Sequence, residues 1–262
     1  MGGAHSKAIE RSKRTGQLEL SYAELKSIPS SVFNVTGMTI LTLNANLIRE
    51  FPLRLTTLVN LTELNLAGNE IKSLPAEVAM FSNLRRFNIG YNQLTALPDQ
   101  IGALMQLRML DISHNMLLEI NPAIRLLHNL TDLIADGNQL TSLPPGLKEC
   151  RNITNLQIHH NKFKELPPII SQMNKVEKLV LSHCQLVRLQ PEVLVELAKN
   201  IGEIKEIDLS NNKLDAIPED MIELFMVRTL DLCDNPVKVW PLKVKTMHNL
   251  RFNWQDISDR FQ

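Results

Sequence analysis

Hydrophobic positions recur along the chain in one fixed frame. With Asn46 as origin, Leu43 lies three residues back, Leu41 five and Met38 eight; Ile48 lies two ahead and Phe51 five ahead, followed by Pro52. The frame repeats around Asn69 with Leu61, Leu64, Leu66, Ile71, Leu74 and Pro75, and around Asn92 with Leu84, Phe87, Ile89, Leu94, Leu97 and Pro98. It recurs at Asn115, Asn138, Asn161, Cys184, Asn212 and Asn235, and a degenerate first copy is centred on Ala23. Ten copies result, at steps of 23 residues from Ala23 to Cys184, then 28, then 23. Alternation before each origin predicts a short strand with one face buried. The origin asparagine leaves the strand, where its amide can serve unpaired backbone groups. The Leu-Pro pair that follows begins a return path with φ pre-set by the ring.

This grammar resembles the leucine-rich repeat, L-x-x-L-x-L-x-x-N-x-L. It implies an α/β fold: a curved, right-handed solenoid of about ten repeats, with a parallel sheet on the concave side and helical or irregular structure on the convex side. Stacked coils share one core, and the repeated asparagines form a ladder. The domain reading is an N-terminal basic segment and cap over 1–15, repeats over 16–241, and a C-terminal capping helix over 242–262, where Phe252, Trp254, Ile257 and Phe261 cluster. The 28-residue step holds Leu194, Leu197, Ala198 and Ile201 at helical spacing, a longer convex helix within 191–201. It is either an extra turn tolerated on the outside or a partner contact.

Composition narrows the function. Lysine plus arginine and aspartate plus glutamate both number 28, so net charge is zero and no basic excess marks a nucleic-acid binder. Three cysteines do not make a disulfide framework. Cys184 takes a ladder position as a small weak donor, and Cys150 and Cys233 stand outside metal-ligand spacing. There is no P-loop, nucleophile elbow or H-E-x-x-H, so neither an enzyme nor a cofactor is expected. His114, His159, His160 and His183 gather on neighbouring rungs, yet only His160 and His183 share a column, short of a zinc site. No metal is expected.

No signal-peptide run opens the chain, and an intracellular location is expected. The Asn-x-Thr sequons at Asn34, Asn60, Asn129 and Asn152 read as repeat grammar rather than glycan acceptors. The first residues, Met1-Gly2-Gly3-Ala4-His5-Ser6, match the N-myristoylation pattern with Gly2 as the acceptor. Lys7, Arg11, Lys13 and Arg14 follow, partly offset by Glu10; in a helix Lys7, Arg11 and Arg14 share one face, suited to an anionic membrane surface.

Residues six, four and two before each origin are assigned to the concave face. Candidate partner contacts there are Arg86, Met109, Asp111, Asp132, Ile134, Gln157, His159, Lys178, Val180, Glu206, Asp208 and Asp231. Met109, Ile134 and Val180 are expected as an apolar patch with a charged rim. Glu206, Asp208, Asp231 and Asp234 form an acidic end.

The Leu-Pro form and 23-residue period, over roughly 16–262, resemble the Ras-group intracellular leucine-rich repeat proteins, and the Gly2 start resembles their small N-myristoylated members. That resemblance implies a monomeric, non-enzymatic scaffold, lipid-anchored at a membrane, holding a small GTPase, phosphatase or kinase of a signalling pathway. The alternative is a regulator of a phosphatase or small GTPase, free in the cytosol. Three departures separate the chain from the pattern: Cys184 in the ladder, Asn121-Pro122 in place of Leu-Pro, and the five-residue insertion.

Overall fold

The computed structural model describes residues 2–199 and 204–252. Its strands are β1 (Gln17–Glu19), β2 (Ile40–Thr42), β3 (Glu63–Asn65), β4 (Arg86–Asn88), β5 (Met109–Asp111), β6 (Asp132–Ile134), β7 (Asn155–Gln157), β8 (Lys178–Val180), β9 (Glu206–Asp208), β10 (Thr229–Asp231) and β11 (Leu250–Arg251). They form one parallel sheet in sequence order. Each strand pairs with the next at the repeat interval, as Ile40 with Glu63 and Met109 with Asp132. The central residue of each strand faces inward. Leu41, Leu64, Phe87, Leu110, Leu133, Leu156, Leu179, Ile207 and Leu230 are each at most 1% exposed. Burying a side chain of this size stabilises by about 1.5–3 kcal/mol, and repetition turns that gain into one continuous core.

The ladder asparagines hold the rungs together. The amide of Asn138 donates to Ile112 on the preceding rung (3.0 Å) and to Ala135 and Asp136 on its own (3.1 and 3.2 Å), while its oxygen accepts from Leu117 N (3.1 Å). Asn69, Asn92, Asn115 and Asn235 repeat the arrangement. Cys184 retains one bond of the set, from its thiol to Ile158 O at 3.4 Å. Among the described residues the amide of Phe163, which a ladder oxygen would accept, has no partner, and Phe163 is fully buried. The turn responds: Gln185 adopts φ +66°, and Asn212 Oδ1 accepts from both Cys184 N and Leu186 N. The rung at Ala23 behaves alike, with Glu24 at φ +52° and Asn46 Oδ1 accepting from Ala23 and Leu25. The asparagine therefore sets the turn conformation as well as the bonds.

Most prolyl return paths run into a 3-10 helix, such as Leu53–Thr57 after Pro52 and Ala76–Met80 after Pro75; those at Pro191 and Pro241 run into α-helices. Where Asn121 replaces the leucine, its oxygen caps the helix Pro122–Leu126 through Ala123 N at 2.8 Å. Asn60, Asn83, Asn129 and Asn152 make a second, convex ladder, each donating to a carbonyl 24 residues earlier. Three of the sequon asparagines thus have a structural use. The insertion forms α2 (Pro191–Lys199), with Leu194 and Leu197 buried; Ile201 lies outside the described residues.

At the N-terminal end, α1 (Gly2–Thr15) packs Ile9 and Ser12 onto the first rung. Gly16 then turns the chain at φ +69°. A Cβ there would lie 2.9 Å from Gly37 O, so only glycine suits both the conformation and the contact. The C-terminal end differs from the sequence expectation. Residues 242–252 hold α3 (Leu242–Lys245), four residues long, and then β11, an eleventh strand. Asn249, buried, donates to Leu224 O and Val227 O, which fixes the chain for a further strand pairing rather than a continuous helix. Trp254, Ile257 and Phe261 lie outside the described residues.

Candidate interaction surface

Register places the concave candidates in columns about 4.8 Å apart from rung to rung. Asp111 and Asp208 are tied to the backbone that follows them: Oδ1 accepts from the N–H two residues on and from the same residue's hydroxyl, Ser113 (3.0 and 2.6 Å) and Ser210 (2.9 and 2.7 Å). Asp231 does the same with Cys233 N at 2.9 Å. These aspartates shape the strand exit as well as charging it. Asp132 accepts from Thr131 Oγ1 (2.7 Å) and Asn155 Nδ2 (3.2 Å), and Gln157 joins through Asn155. Arg86 lies 3.8 Å from Glu63, and Lys178 lies 2.9 Å from Glu206.

The expected apolar patch is not continuous. Met109 and Ile134 are half-buried diagonal neighbours across β5 and β6. Val180 is separated from Ile134 by Gln157 and is only 8% exposed, a short side chain in register between Gln157 and Asp208. It is recessed between its neighbours and offers no exposed anchor.

Across β2 to β10 these three columns carry Glu63, Asp111, Asp132, Asp136, Glu206, Asp208 and Asp231 against Arg86 and Lys178. The two cations are already paired with Glu63 and Glu206. Arg251 on β11 stands in register with Asp231. Arg85, Arg108 and Arg228 stand at the opposite margin, where the strands begin. A discontinuous floor of aspartates therefore lies on the sheet, Asp111 with Asp132 on β5 and β6 and Asp208 with Asp231 on β9 and β10, separated by Gln157 and Val180.

A second row borders that floor, one residue before each ladder position. It runs Tyr22, Ala45, Gly68, Tyr91, His114, Gly137, His160, His183, Asn211, Asp234, and every member has positive φ, from 48° at His114 to 65° at Gly68. The left-handed turn throws these side chains outward as a ledge. Tyr91 stacks on His114 at 4.1 Å between centroids, and His160 on His183 at 4.2 Å, both near parallel. Tyr91 is 60% exposed. Gly137 separates the two stacks: a Cβ there would meet His114 Nδ1 at 2.6 Å. This leaves His114 Nε2 3.1 Å from the buried Asp136 carboxylate.

His159 joins the same group. Its Nε2 lies 3.8 Å from Asp136, and its Nδ1 lies 2.8 Å from His160 Nδ1, so one of those two nitrogens carries a proton. His114 and His159 thus converge on one carboxylate rather than pointing apart. Desolvation, then the rings of His183 and His159, lower the His160 pKa below the ordinary imidazole value, with Asp136 opposing. Among the described residues no group of three or more His, Cys, Asp or Glu side chains is arranged to hold a metal ion. Burial pushes the thiol of Cys184 up to about 12 and that of Cys150 up to about 11, which leaves both unreactive near neutral pH.

Counting only residues six, four and two before each origin omitted the ledge. Strand alternation ends where the chain turns left-handed, and Tyr91, His114, His160 and His183 all sit just past that point. The aromatic column one place before each ladder residue was the available signal.

The leucine-rich repeat family model matches residues 59–117 and 82–140. Solved structures share the fold over most of the chain. A TDR receptor superposes with a TM-score of 0.75 at 25% identity, covering 90% of this chain and 42% of that one. The functional domain of InlJ from Listeria monocytogenes gives 0.71 at 24%, covering 92% and 49%. The Toll–Spatzle complex of Drosophila gives 0.74 at 21%, covering 90% and 32%. A search of curated proteins returned no match. The repeated frame, the single parallel sheet and these likenesses define the fold as a leucine-rich repeat solenoid, with the family model matching within residues 59–140. The chain spans less than half the length of these three structures.

Proposed function

We propose that this protein is a non-enzymatic scaffold that holds a signalling protein on its concave face and is anchored to a membrane through N-myristoylated Gly2. The open face of the eleven-stranded sheet carries the first half of this reading. Tyr91 at its margin is a residue type enriched at protein interfaces, and the stacked histidines beside it extend the exposed ring surface. The Toll–Spatzle complex of Drosophila, which shares the fold, is a precedent for a protein partner and not for its identity.

The N-terminal helix supports the second half. Ile9 and Ser12 face the solenoid, while Lys7, Arg11 and Arg14 are exposed. Lys13 is engaged with Glu10 at 2.6 Å and adds little net charge. Among the described residues no helix is long and apolar enough to cross a membrane, so attachment falls to the lipid and the basic face. A myristoyl chain alone binds with about 10⁴ M⁻¹. Three basic residues at about 1 kcal/mol each raise that on the order of 100-fold. The partner class is a small GTPase, phosphatase or kinase of the inner membrane surface, in keeping with the Ras-group resemblance.

The test is membrane partition of wild type and Gly2→Ala in cells, with the mass of the N-terminal peptide. A myristoyl mass on wild type, and release of the variant to the soluble fraction, supports the anchor. An unmodified Gly2 with both forms soluble overturns it and leaves a free cytosolic module. Met109→Asp with Ile134→Asp tests the concave face, because both side chains are half-exposed; undiminished partner capture overturns that placement.

A further inference from the structure

We propose that the concave face docks an extended cationic segment of its protein partner, with arginine side chains laid between the aspartate floor and the aromatic ledge. This rests on the concave-face reading above and adds the chemistry of the partner. The whole chain is charge-balanced, but the floor is not. Once Arg86 and Lys178 are matched with Glu63 and Glu206, and Arg251 is set against Asp231, the remaining aspartates open to solvent are Asp111, Asp132 and Asp208; Asp136 is buried against His114 and His159. Asp111 and Asp208 lie along the middle of the sheet, and Asp132 lies in the column at the strand entrances, diagonal to Asp111.

The ledge adds the second requirement. Exposed ring faces of Tyr91, His160 and His183 stand beside those carboxylates. A guanidinium is planar and weakly hydrated; it stacks on an aromatic face while its edge pairs with a carboxylate. An extended segment presents alternate side chains to one face roughly every 6.5–7 Å, so several can engage the floor in turn. A phosphate-rich ligand would meet uncompensated aspartates and be repelled. A hollow of about 200 Å³ bounded by Ile40, Glu63, Arg86 and Met109 is smaller than the clefts that enclose small molecules.

The probe is a fluorescein-labelled peptide of alternating arginine and glycine, read by polarisation against the full chain, with a glutamate-glycine peptide beside it. The arginine peptide should bind, and raising salt from about 50 to about 300 mM should weaken it several-fold. Asp111→Asn, Asp132→Asn and Asp208→Asn together should weaken it about tenfold, since each exposed pair contributes a fraction of a kcal/mol and asparagine keeps the turn bonds. Tyr91→Ala with His183→Ala should weaken it about fivefold through loss of ring faces. Equal binding of both peptides, binding of neither, or indifference to the aspartate substitutions overturns the cationic assignment. That failure is separable from failure of the concave reading, which Met109→Asp with Ile134→Asp reports through partner capture. Self-association abolished by Lys7→Glu, Arg11→Glu and Arg14→Glu would instead make α1 of a second copy the occupant, and would overturn the proposal.

Discussion

Cys184→Asn should stabilise this protein, because the structure shows what cysteine leaves undone. The buried amide of Phe163 has no acceptor among the described residues, and its carbonyl lacks the bond from the residue after the ladder position that other rungs make. Leaving a buried donor unpaired costs about 1–3 kcal/mol. Gln185 is held at φ +66°, which costs a non-glycine residue about 1 kcal/mol. Asparagine at 184 would accept from Phe163 N, donate to Leu181 O and let the turn take the form seen at Asn138. Less the entropy of ordering a longer side chain, the net gain is roughly 2 kcal/mol. For a chain of this size that raises Tm by about 4–8 °C. Thermal unfolding by circular dichroism gives the shift, with Cys184→Ala as control, and amide exchange should show Phe163 newly protected. An unchanged or lowered Tm, or a Phe163 amide that exchanges as before, would refute the reasoning that ladder bonding rather than packing sets the stability of this rung.

Three further outcomes follow from the same geometry. Asn138→Ala leaves Leu117 N without its acceptor, while Ile112 O and Ala135 O keep the bonds from Asn115 and Asn161; it should cost roughly 2–3 kcal/mol, read as a Tm lower by about 4–12 °C. Gly137→Ala places a Cβ where His114 lies and strains φ +63°; it should destabilise by about 1 kcal/mol and break the His114–Asp136 contact, visible in the imidazole NMR signals. The His160 pKa is lowered in the fold, so its contribution to stability is present above the unfolded value near 6.5 and is lost as pH falls through the folded value. His160→Gln should therefore flatten the fall in Tm between about pH 7 and 5; an identical pH profile in both proteins would contradict the assignment.

Most of the scaffold was legible in the sequence because its period is built from backbone needs. An asparagine that feeds two rungs, and a proline that starts the return path, leave little freedom at those positions, so Asn46 through Asn235 could be placed by counting. The insertion showed its helix through Leu194 and Leu197 because a longer helix must still bury one face. Over 242–252 the structure departs from the expected helix, because the ladder-like role of Asn249 has no leucine frame after it and the strand Leu250–Arg251 left no pattern to count. The candidate surface was half legible. Alternation identified Asp111, Asp132 and Asp208 correctly as concave, but it could not foresee that Val180 would be recessed between longer neighbours. It also stops at the left-handed turn, and the ledge begins there.

The left-handed column has a consequence for how this surface changes over time. Ten turns share one backbone conformation whatever side chain they carry, from Gly68 to Tyr91. Drift alone would fill such positions with glycine or asparagine, the residues that adopt this conformation at least expense. The backbone does not demand a tyrosine or histidine there, so what Tyr91 and His183 present is not dictated by the fold beneath them. The same independence makes the ledge rewritable. Exchanging Tyr91 or His183 alters what the surface presents without moving the strands beneath it, and a new specificity can be tried one rung at a time while the core stays as it is.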